Sequence, residues 1–158
     1  MAIDVAIEST IEQPPDVVFA RIVDLAAWPG WLIASGIRSV RRGGDGLPVV
    51  GERLVVEQDA AGRAATFEAA VSAFEPDRRL ALTGKDPDGV TIDISAEVDA
   101  ATGPDGTGSP ATELRWSIRI GLPLKYRMFE SLARPQVERA ALLDIEALRL
   151  ALEAPARD

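Results

Sequence analysis

The chain has 158 residues, of which 47% are hydrophobic, and it contains neither cysteine nor histidine. The lack of cysteine excludes disulfides, thiolate metal sites and cysteine nucleophiles. The lack of histidine removes the usual general base near neutral pH and the commonest metal ligand. A net charge of −8, from 17 basic and 25 acidic residues, disfavours binding to nucleic acid.

The length favours one domain, which we place at residues 1–153, followed by a frayed tail at 154–158. No run of apolar residues is long enough to span a bilayer, so no stable membrane insertion is expected. The first residues do not resemble a signal peptide, and a cytoplasmic location is the default expectation. Asparagine is absent and only two lysines occur, whereas alanine, arginine and glycine are abundant, which suggests a GC-rich bacterial source.

The N-terminal part predicts one strand followed by two short helices. Residues 3–11 alternate between apolar and polar side chains, which is typical of a half-buried strand. Residues 15–23 and 25–32 then predict two helices, because Pro15 suits a first helical turn and Pro29 prevents one continuous helix.

The middle of the chain predicts six consecutive strands. Alternating segments recur at intervals of roughly 8–12 residues and are separated by turns rich in Gly, Pro and Asp, which indicates an antiparallel meander. Residues 101–110 carry Gly, Pro, Thr and Ser without an apolar anchor, so a mobile hairpin loop is expected there. The predicted strands are 36–42, 52–58, 64–75, 79–83, 90–98 and 112–120.

One long amphipathic helix is predicted at the C-terminal end, over residues 126–153. Its apolar residues recur at helical spacing, and polar side chains that include Glu130 and Arg134 are placed on the opposite face. Such a helix needs an apolar surface to pack against, and a curved sheet supplies one. Pro135 is a possible site for a kink that would let the first part of the helix move.

Several short motifs resemble the START-like superfamily, also called SRPBCC. The segment Gln13-Pro14-Pro15-Asp16-Val17-Val18-Phe19 is similar to the entry into the first helix of that family. Asp24-Leu25-Ala26-Ala27-Trp28-Pro29-Gly30-Trp31 resembles its second helix, and Phe74-Glu75-Pro76-Asp77-Arg78-Arg79-Leu80 resembles a turn between mid-sheet strands. The resemblance implies an α+β helix-grip fold, with a curved antiparallel sheet of about seven strands, two short helices and a long C-terminal helix.

Members of that superfamily commonly hold a cavity between the sheet and the long helix, so the inward residues are candidates for an apolar ligand pocket. The alternative is a filled core. Phe67 faces inward only if its strand keeps its alternation, because a bulge near 71–74 would flip it. The candidate pocket residues are Trp31, Leu54, Val56, Phe67, Ile92, Ile94, Trp116, Ile118, Tyr126, Met128, Phe129 and Leu132.

A few other side chains have two interpretations. Trp28 and Trp31 either cover the pocket or fasten the short helices to the core, and packing is the more usual role of tryptophan. Tyr126 either hydrogen-bonds a ligand at the pocket mouth or is a partly exposed amphipathic residue. Arg115 and Arg119 favour a cross-strand salt ladder with Asp93, Glu97 or Asp99 over a substrate clamp.

The leading hypothesis is a protein that binds a hydrophobic or aromatic small molecule, such as a lipid or polyketide, without covalent chemistry. A second hypothesis, implied by the resemblance, is a polyketide cyclase or dehydratase that uses Tyr126 or an inward carboxylate. A third is a protein-interaction module. The sequence predicts no metal, no cofactor and no particular catalytic residue.

Overall fold

The computed structural model describes residues 2–60, 62–102 and 108–154. These residues form a seven-stranded sheet, two α-helices and two 3₁₀ helices in one α+β unit. The first 3₁₀ helix spans Leu25–Gly30 and the second spans Leu124–Phe129. The other elements are β1 (Ala2–Ile11), α1 (Pro15–Val23), β2 (Ile37–Arg42), β3 (Arg53–Ala60), β4 (Arg63–Glu75), β5 (Arg79–Lys85), β6 (Thr91–Thr102), β7 (Pro110–Gly121) and α2 (Glu130–Glu153).

The sheet has the order β1-β7-β6-β5-β4-β3-β2, and every neighbouring pair is antiparallel. The strands from β2 to β7 therefore form the predicted meander, and β1 closes the sheet beside β7. This arrangement, with α2 packed across one face, is the helix-grip fold that the sequence predicted.

Alternation along the strands places one apolar row after another on the concave face. Ile3, Val5 and Ile7 of β1 are buried, as are Leu114, Trp116 and Ile118 of β7. A bulge interrupts β4 between Val71 and Ala73, within the range considered from the sequence, but it lies beyond Phe67 and leaves that side chain on the buried face. The core is thus one continuous layer between the sheet and the helices.

The hairpin of β6 and β7 is longer than predicted. β6 continues to Thr102 and β7 begins at Pro110, so the paired hairpin extends further than the alternation of large apolar residues indicated. Residues 103–107 of the expected loop lie outside the described residues, as do residues 155–158 of the expected tail.

Candidate ligand pocket

The concave face of the sheet brings together the strand residues predicted for the pocket. Ile92 is half-buried, and the remaining side chains of this set are buried. The buried ones are Leu54, Val56, Phe67, Ile94, Trp116 and Ile118.

Three predicted helix residues do not face the sheet. Met128 is 77% exposed, Phe129 50% and Leu132 67%, so the expected inward orientation of these side chains is wrong. The buried stripe of α2 consists of Ala141, Asp144, Ile145 and Leu148. Leu132 precedes Ala141 by nine residues, which at 100° per residue is half a turn away from that stripe. Met128 and Phe129 belong to the second 3₁₀ helix, whose tighter winding breaks the α-helical phase.

The inward positions in the first part of α2 are Glu130, Ala133 and Val137, each half-buried. The sequence pattern placed Glu130 on the opposite face, and this placement is also wrong. Its Oε1 atom is buried and has no hydrogen-bond partner. Extending the stripe backwards from Ala141 through Val137 and Ala133 reaches Glu130, so the correct phase was present in the sequence.

Between β2–β6 lies a small apolar pocket with a volume of about 20 Å³. This is space for about one water molecule, so the pocket is closed to any larger ligand in this conformation. Four of the predicted pocket residues line it, namely Val56, Phe67, Ile92 and Ile94. The other lining residues were not predicted. The lining consists of Ile37, Val56, Gln58, Phe67, Ala69, Leu82, Thr83, Gly84, Ile92 and Ile94.

A charged cluster lies at one end of the concave face, where the β3–β4 turn, the β5–β6 turn and the second 3₁₀ helix meet. Arg63 Nη2 lies 2.5 Å from Asp86 Oδ2 and 2.5 Å from Asp88 Oδ2, while Lys125 Nζ lies 3.6 Å from Asp88 Oδ1. The guanidinium of Arg63 and the ammonium of Lys125 lie 5.5 and 5.2 Å from the centre of the Tyr126 ring. These contacts hold Tyr126, which is half-buried, at this edge.

Within this mouth cluster (Arg63, Asp86, Asp88, Lys125 and Tyr126) the two carboxylates are held differently. Asp86 is buried, and its Oδ1 accepts hydrogen bonds from the backbone N–H groups of Asp88 and Val90. Asp88 is more exposed, and the hydrogen bond from Arg63 lowers the pKa of its carboxyl group. Hydrogen bonds to Asp88 and then Asp86 raise the pKa of Arg63, which stays charged. Ion pairs within the cluster therefore connect the β3–β4 turn, the β5–β6 turn and the second 3₁₀ helix.

The three tryptophans form one aromatic cluster inside the fold. Trp28, Trp31 and Trp116 make mutual edge-to-face contacts with ring centres 5.5–6.2 Å apart. Trp28 Nε1 donates to the carbonyl of Ile22 at 2.8 Å. Trp28 and Trp31 therefore fasten the short helices to β7, which is the packing interpretation. The indole N–H groups of Trp31 and Trp116 are buried without an acceptor.

The second half of α2 is fixed by a buried carboxylate. Asp144 accepts hydrogen bonds from the backbone N–H groups of Ala34 and Ser35 at 2.8 and 2.9 Å. Burial raises the pKa of Asp144, and these hydrogen bonds partly oppose the rise. Its role was missed because an acidic residue in a helix is normally assigned to the solvent side.

A wider depression, about 450 Å³, lies on the other, convex face of the sheet. Small residues such as Ala6, Ser95 and Ser117 form its floor, and arginine and aspartate side chains border it. The predicted pairs of Arg115 and Arg119 with Asp93, Glu97 or Asp99 are wrong for the described residues. Arg119 pairs with Asp4 at 3.8 Å, and Glu97 pairs with Arg79 at 3.6 Å. We assign this depression to a solvated sheet surface.

The described residues contain no cluster of His, Asp, Glu or Cys with the arrangement of a metal site. Across the same part of the chain, no helix is long and apolar enough to cross a membrane.

The curved seven-stranded sheet and the long C-terminal helix packed across it are the architecture of a START-like protein of the SRPBCC superfamily. Within it, the chain belongs to the family described as polyketide cyclase / dehydrase and lipid transport, whose model matches residues 2–153. No curated protein matches the sequence.

Solved structures show the same fold at low sequence identity. The Zhui aromatase/cyclase from Streptomyces sp. R1128 superposes with a TM-score of 0.73 at 15% identity, over 97% of this chain and 94% of that one. TTHA0849 from Thermus thermophilus gives a TM-score of 0.70 at 14% identity, over 96% and 99% of the two chains. Ara h 8.0201 gives 0.64 at 16% identity, over 96% and 98%.

Proposed function

We propose that the protein binds a hydrophobic or aromatic small molecule, such as a lipid or polyketide, between the concave sheet and the first half of α2. The observation that carries this proposal is the apolar surface that the pocket exposes, combined with a helical segment, residues 124–140, that contributes no buried residue. An apolar wall under a weakly held cover is the arrangement that a transient hydrophobic site requires. The family description, which includes lipid transport, supports the same class of ligand.

Ligand entry requires the pocket to enlarge, because about 20 Å³ accommodates no organic molecule. The first half of α2 is the segment that gives way at the lowest cost, since Ala133 and Val137 are its half-buried apolar anchors. Pro135 lies between them and has no N–H to donate to the carbonyl of Ser131. We therefore expect residues 130–140 to lift from the sheet while the second half stays in place.

The proposal is tested by titrating the protein with the neutral aromatic probe N-phenyl-1-naphthylamine and following its fluorescence. Ala69 lines the pocket, so Ala69→Leu should fill it and weaken probe binding by about tenfold or more. Ala64 lies on the same strand but is exposed, and Ala64→Leu is the matched control that should bind as the wild type does. Equal affinity for the probe in both variants, or no binding by the folded wild type, would refute the proposed site.

A second candidate function is a cyclase reaction, and the inward Oε1 of Glu130 favours it. In the bound state this carboxylate would remove a proton from a carbon between two carbonyl groups of a polyketide. The resulting enolate carbon would bond to another carbonyl carbon of the same chain, whose oxygen would take a proton from the Tyr126 hydroxyl. Proximity imposed by the pocket would supply much of the rate.

The variant Glu130→Gln separates the two functions. It removes the base and preserves the shape of the side chain, so cyclisation of a synthetic poly-β-ketone should fall by at least about a hundredfold. Binding of N-phenyl-1-naphthylamine should stay within about twofold, because no charge contributes to binding a neutral probe. Unchanged cyclisation by this variant, or none by the wild type, would exclude Glu130 as the base.

A further inference from the structure

A short segment beside the pocket exposes four large apolar side chains within nine residues. Leu124 is 80% exposed, and Met128, Phe129 and Leu132 are each exposed by half or more. All four belong to the second 3₁₀ helix or to the first turn of α2, so they lie close together on the surface. Residues 124–132 are therefore called the exposed apolar segment. Exposed apolar side chains grouped in this way mark an interaction surface.

The charge around this segment is opposite to that of the whole protein. Residues 124–139 contain four basic side chains and two acidic ones, a net charge of +2, whereas the chain carries −8 and the remainder therefore −10. Within the described structure, Arg127 and Arg139 are exposed and make no ion pair. Lys125 pairs with Asp88 only at 3.6 Å, so it also keeps much of its attraction for an external anion. The basic side chains are Lys125, Arg127, Arg134 and Arg139.

We propose that this surface docks the protein on anionic lipid bilayers. Apolar side chains interleaved with lysine and arginine are the features of segments that lie in the membrane interface, where the side chains enter the lipid and the cations contact the headgroups. A second copy of the chain fits less well, because a symmetric contact would bring the same uncompensated cations together. Charge complementarity thus selects a negatively charged surface.

Docking at this place has a consequence for the pocket. Tyr126 lies within the same segment and belongs to the mouth cluster with Arg63 and Lys125. Leu132 is on the outer side of the helix half that would lift. If the proposed function holds, insertion of Met128 and Leu132 into lipid would draw that half away from the sheet and open the pocket towards the bilayer. The docking itself does not depend on the pocket and is tested without a pocket ligand.

The test is co-sedimentation of the purified full chain with sucrose-loaded vesicles. Vesicles of phosphatidylcholine with about 30% phosphatidylglycerol should bind the wild type, and pure phosphatidylcholine should bind it at least about fivefold more weakly. Leu132→Asp and Arg127→Glu should each reduce binding to the anionic vesicles by about tenfold. Both side chains are exposed, so neither change should unfold the protein.

Matched controls lie elsewhere on the surface. Leu150 is 56% exposed on the same outer face of α2, 18 residues and about 27 Å further along, and Leu150→Asp should bind as the wild type does. Arg21→Glu on α1 makes the same charge change away from the segment and should also have no effect. A loss of binding in these controls equal to that in the segment variants would overturn the proposal.

Two further results would overturn it. One is a wild type that sediments equally with neutral and anionic vesicles, or with neither. The other is a wild type that is dimeric by analytical ultracentrifugation, becomes monomeric on Leu132→Asp and binds no vesicles, which would assign the surface to a second copy. If the wild type binds anionic vesicles but does not bind N-phenyl-1-naphthylamine, the proposed function is refuted and the docking proposal is unaffected.

Discussion

The two halves of α2 differ in how they are held, although they belong to one uninterrupted helix. The second half contributes every buried residue of α2, namely Ala141, Asp144, Ile145 and Leu148, and Asp144 also bonds the backbone of the loop before β2. Residues 130–140 contribute none, and their outer side chains Leu132 and Arg139 are exposed. The second half is thus part of the core, whereas the first half is only loosely packed against it, as the proposed cover of a ligand site would be.

The difference shows that one helix can contribute to stability through only one of its halves. Burial of apolar side chains stabilises an element roughly in proportion to the area removed from water. A helix segment without buried side chains opens at a cost well below that of global unfolding, and such segments are where ligand entry occurs. We therefore expect the hydrogen bonds of Asp144 to restrict the proposed movement to residues before Ala141.

The largest effect is expected from a matched pair of leucine truncations in the two halves. Leu148→Ala removes a fully buried side chain and should lower the free energy of unfolding by about 2–5 kcal/mol. Leu132→Ala removes an exposed one and should change it by less than about 0.5 kcal/mol. Urea unfolding followed by circular dichroism measures both. Similar losses in the two variants would show that the halves are equally packed.

A smaller loss is expected from removal of the Asp144 anchor. Asp144→Ala leaves the N–H groups of Ala34 and Ser35 without their acceptors and should destabilise the protein by about 1–3 kcal/mol. Glu138→Ala, an exposed acidic residue of the first half, is the control and should have almost no effect. A neutral Asp144→Ala variant would mean that the loop is held by other contacts.

The smallest effects are those of pH on folding stability. They have opposite signs for the carboxyl groups of Asp144 and Asp88. Burial raises the folded-state pKa of Asp144 above its unfolded value, so the folded state holds its proton more tightly. Stability from this group is therefore fully present below the unfolded pKa and is lost as the pH rises through the folded pKa. The hydrogen bond from Arg63 lowers the pKa of Asp88. The stability that Asp88 contributes is therefore present above its unfolded pKa and is lost as the pH falls through its folded pKa.

Melting temperatures of the wild type, Asp144→Ala and Asp88→Asn between about pH 3 and pH 7 measure this contrast. The difference between wild type and Asp144→Ala should be larger at the acidic end of this range than at the neutral end. The difference between wild type and Asp88→Asn should be larger at the neutral end. A parallel pH dependence in both variants would contradict the assigned environments of the two groups.

The strands were predictable because Leu54, Val56, Ile94, Trp116 and Ile118 alternate with polar residues, and a period of two fixes which face is buried. The start of the long helix was not predictable, because a 3₁₀ turn precedes α2 and changes the directions in which Met128 and Phe129 point. The inward position of Glu130 could have been found by extending the apolar stripe backwards from Ala141. The buried contacts of Asp144 and Asp86 depend on partners far away in the chain, which periodicity does not report.

The size of the pocket was also beyond prediction from the sequence. Ala69 and Gly84 are small, and small residues either leave a void or allow elements to approach closely. The Cβ of an added side chain at Gly84 would lie 3.0 Å from the Cβ of Ala69, so here the strands approach closely and leave little space. Only the packed arrangement distinguishes these outcomes.

Hydrogen exchange measured by mass spectrometry tests the central claim most directly. The first turn of α2 continues from a 3₁₀ helix and Pro135 has no N–H group, so residues 136–140 are compared with residues 144–150. We predict at least about tenfold faster exchange in 136–140 and a change in its exchange rate on saturation with N-phenyl-1-naphthylamine, with 144–150 unaffected. Equal protection of the two segments, unchanged by the probe, would contradict the account of α2 as a cover joined to an anchor.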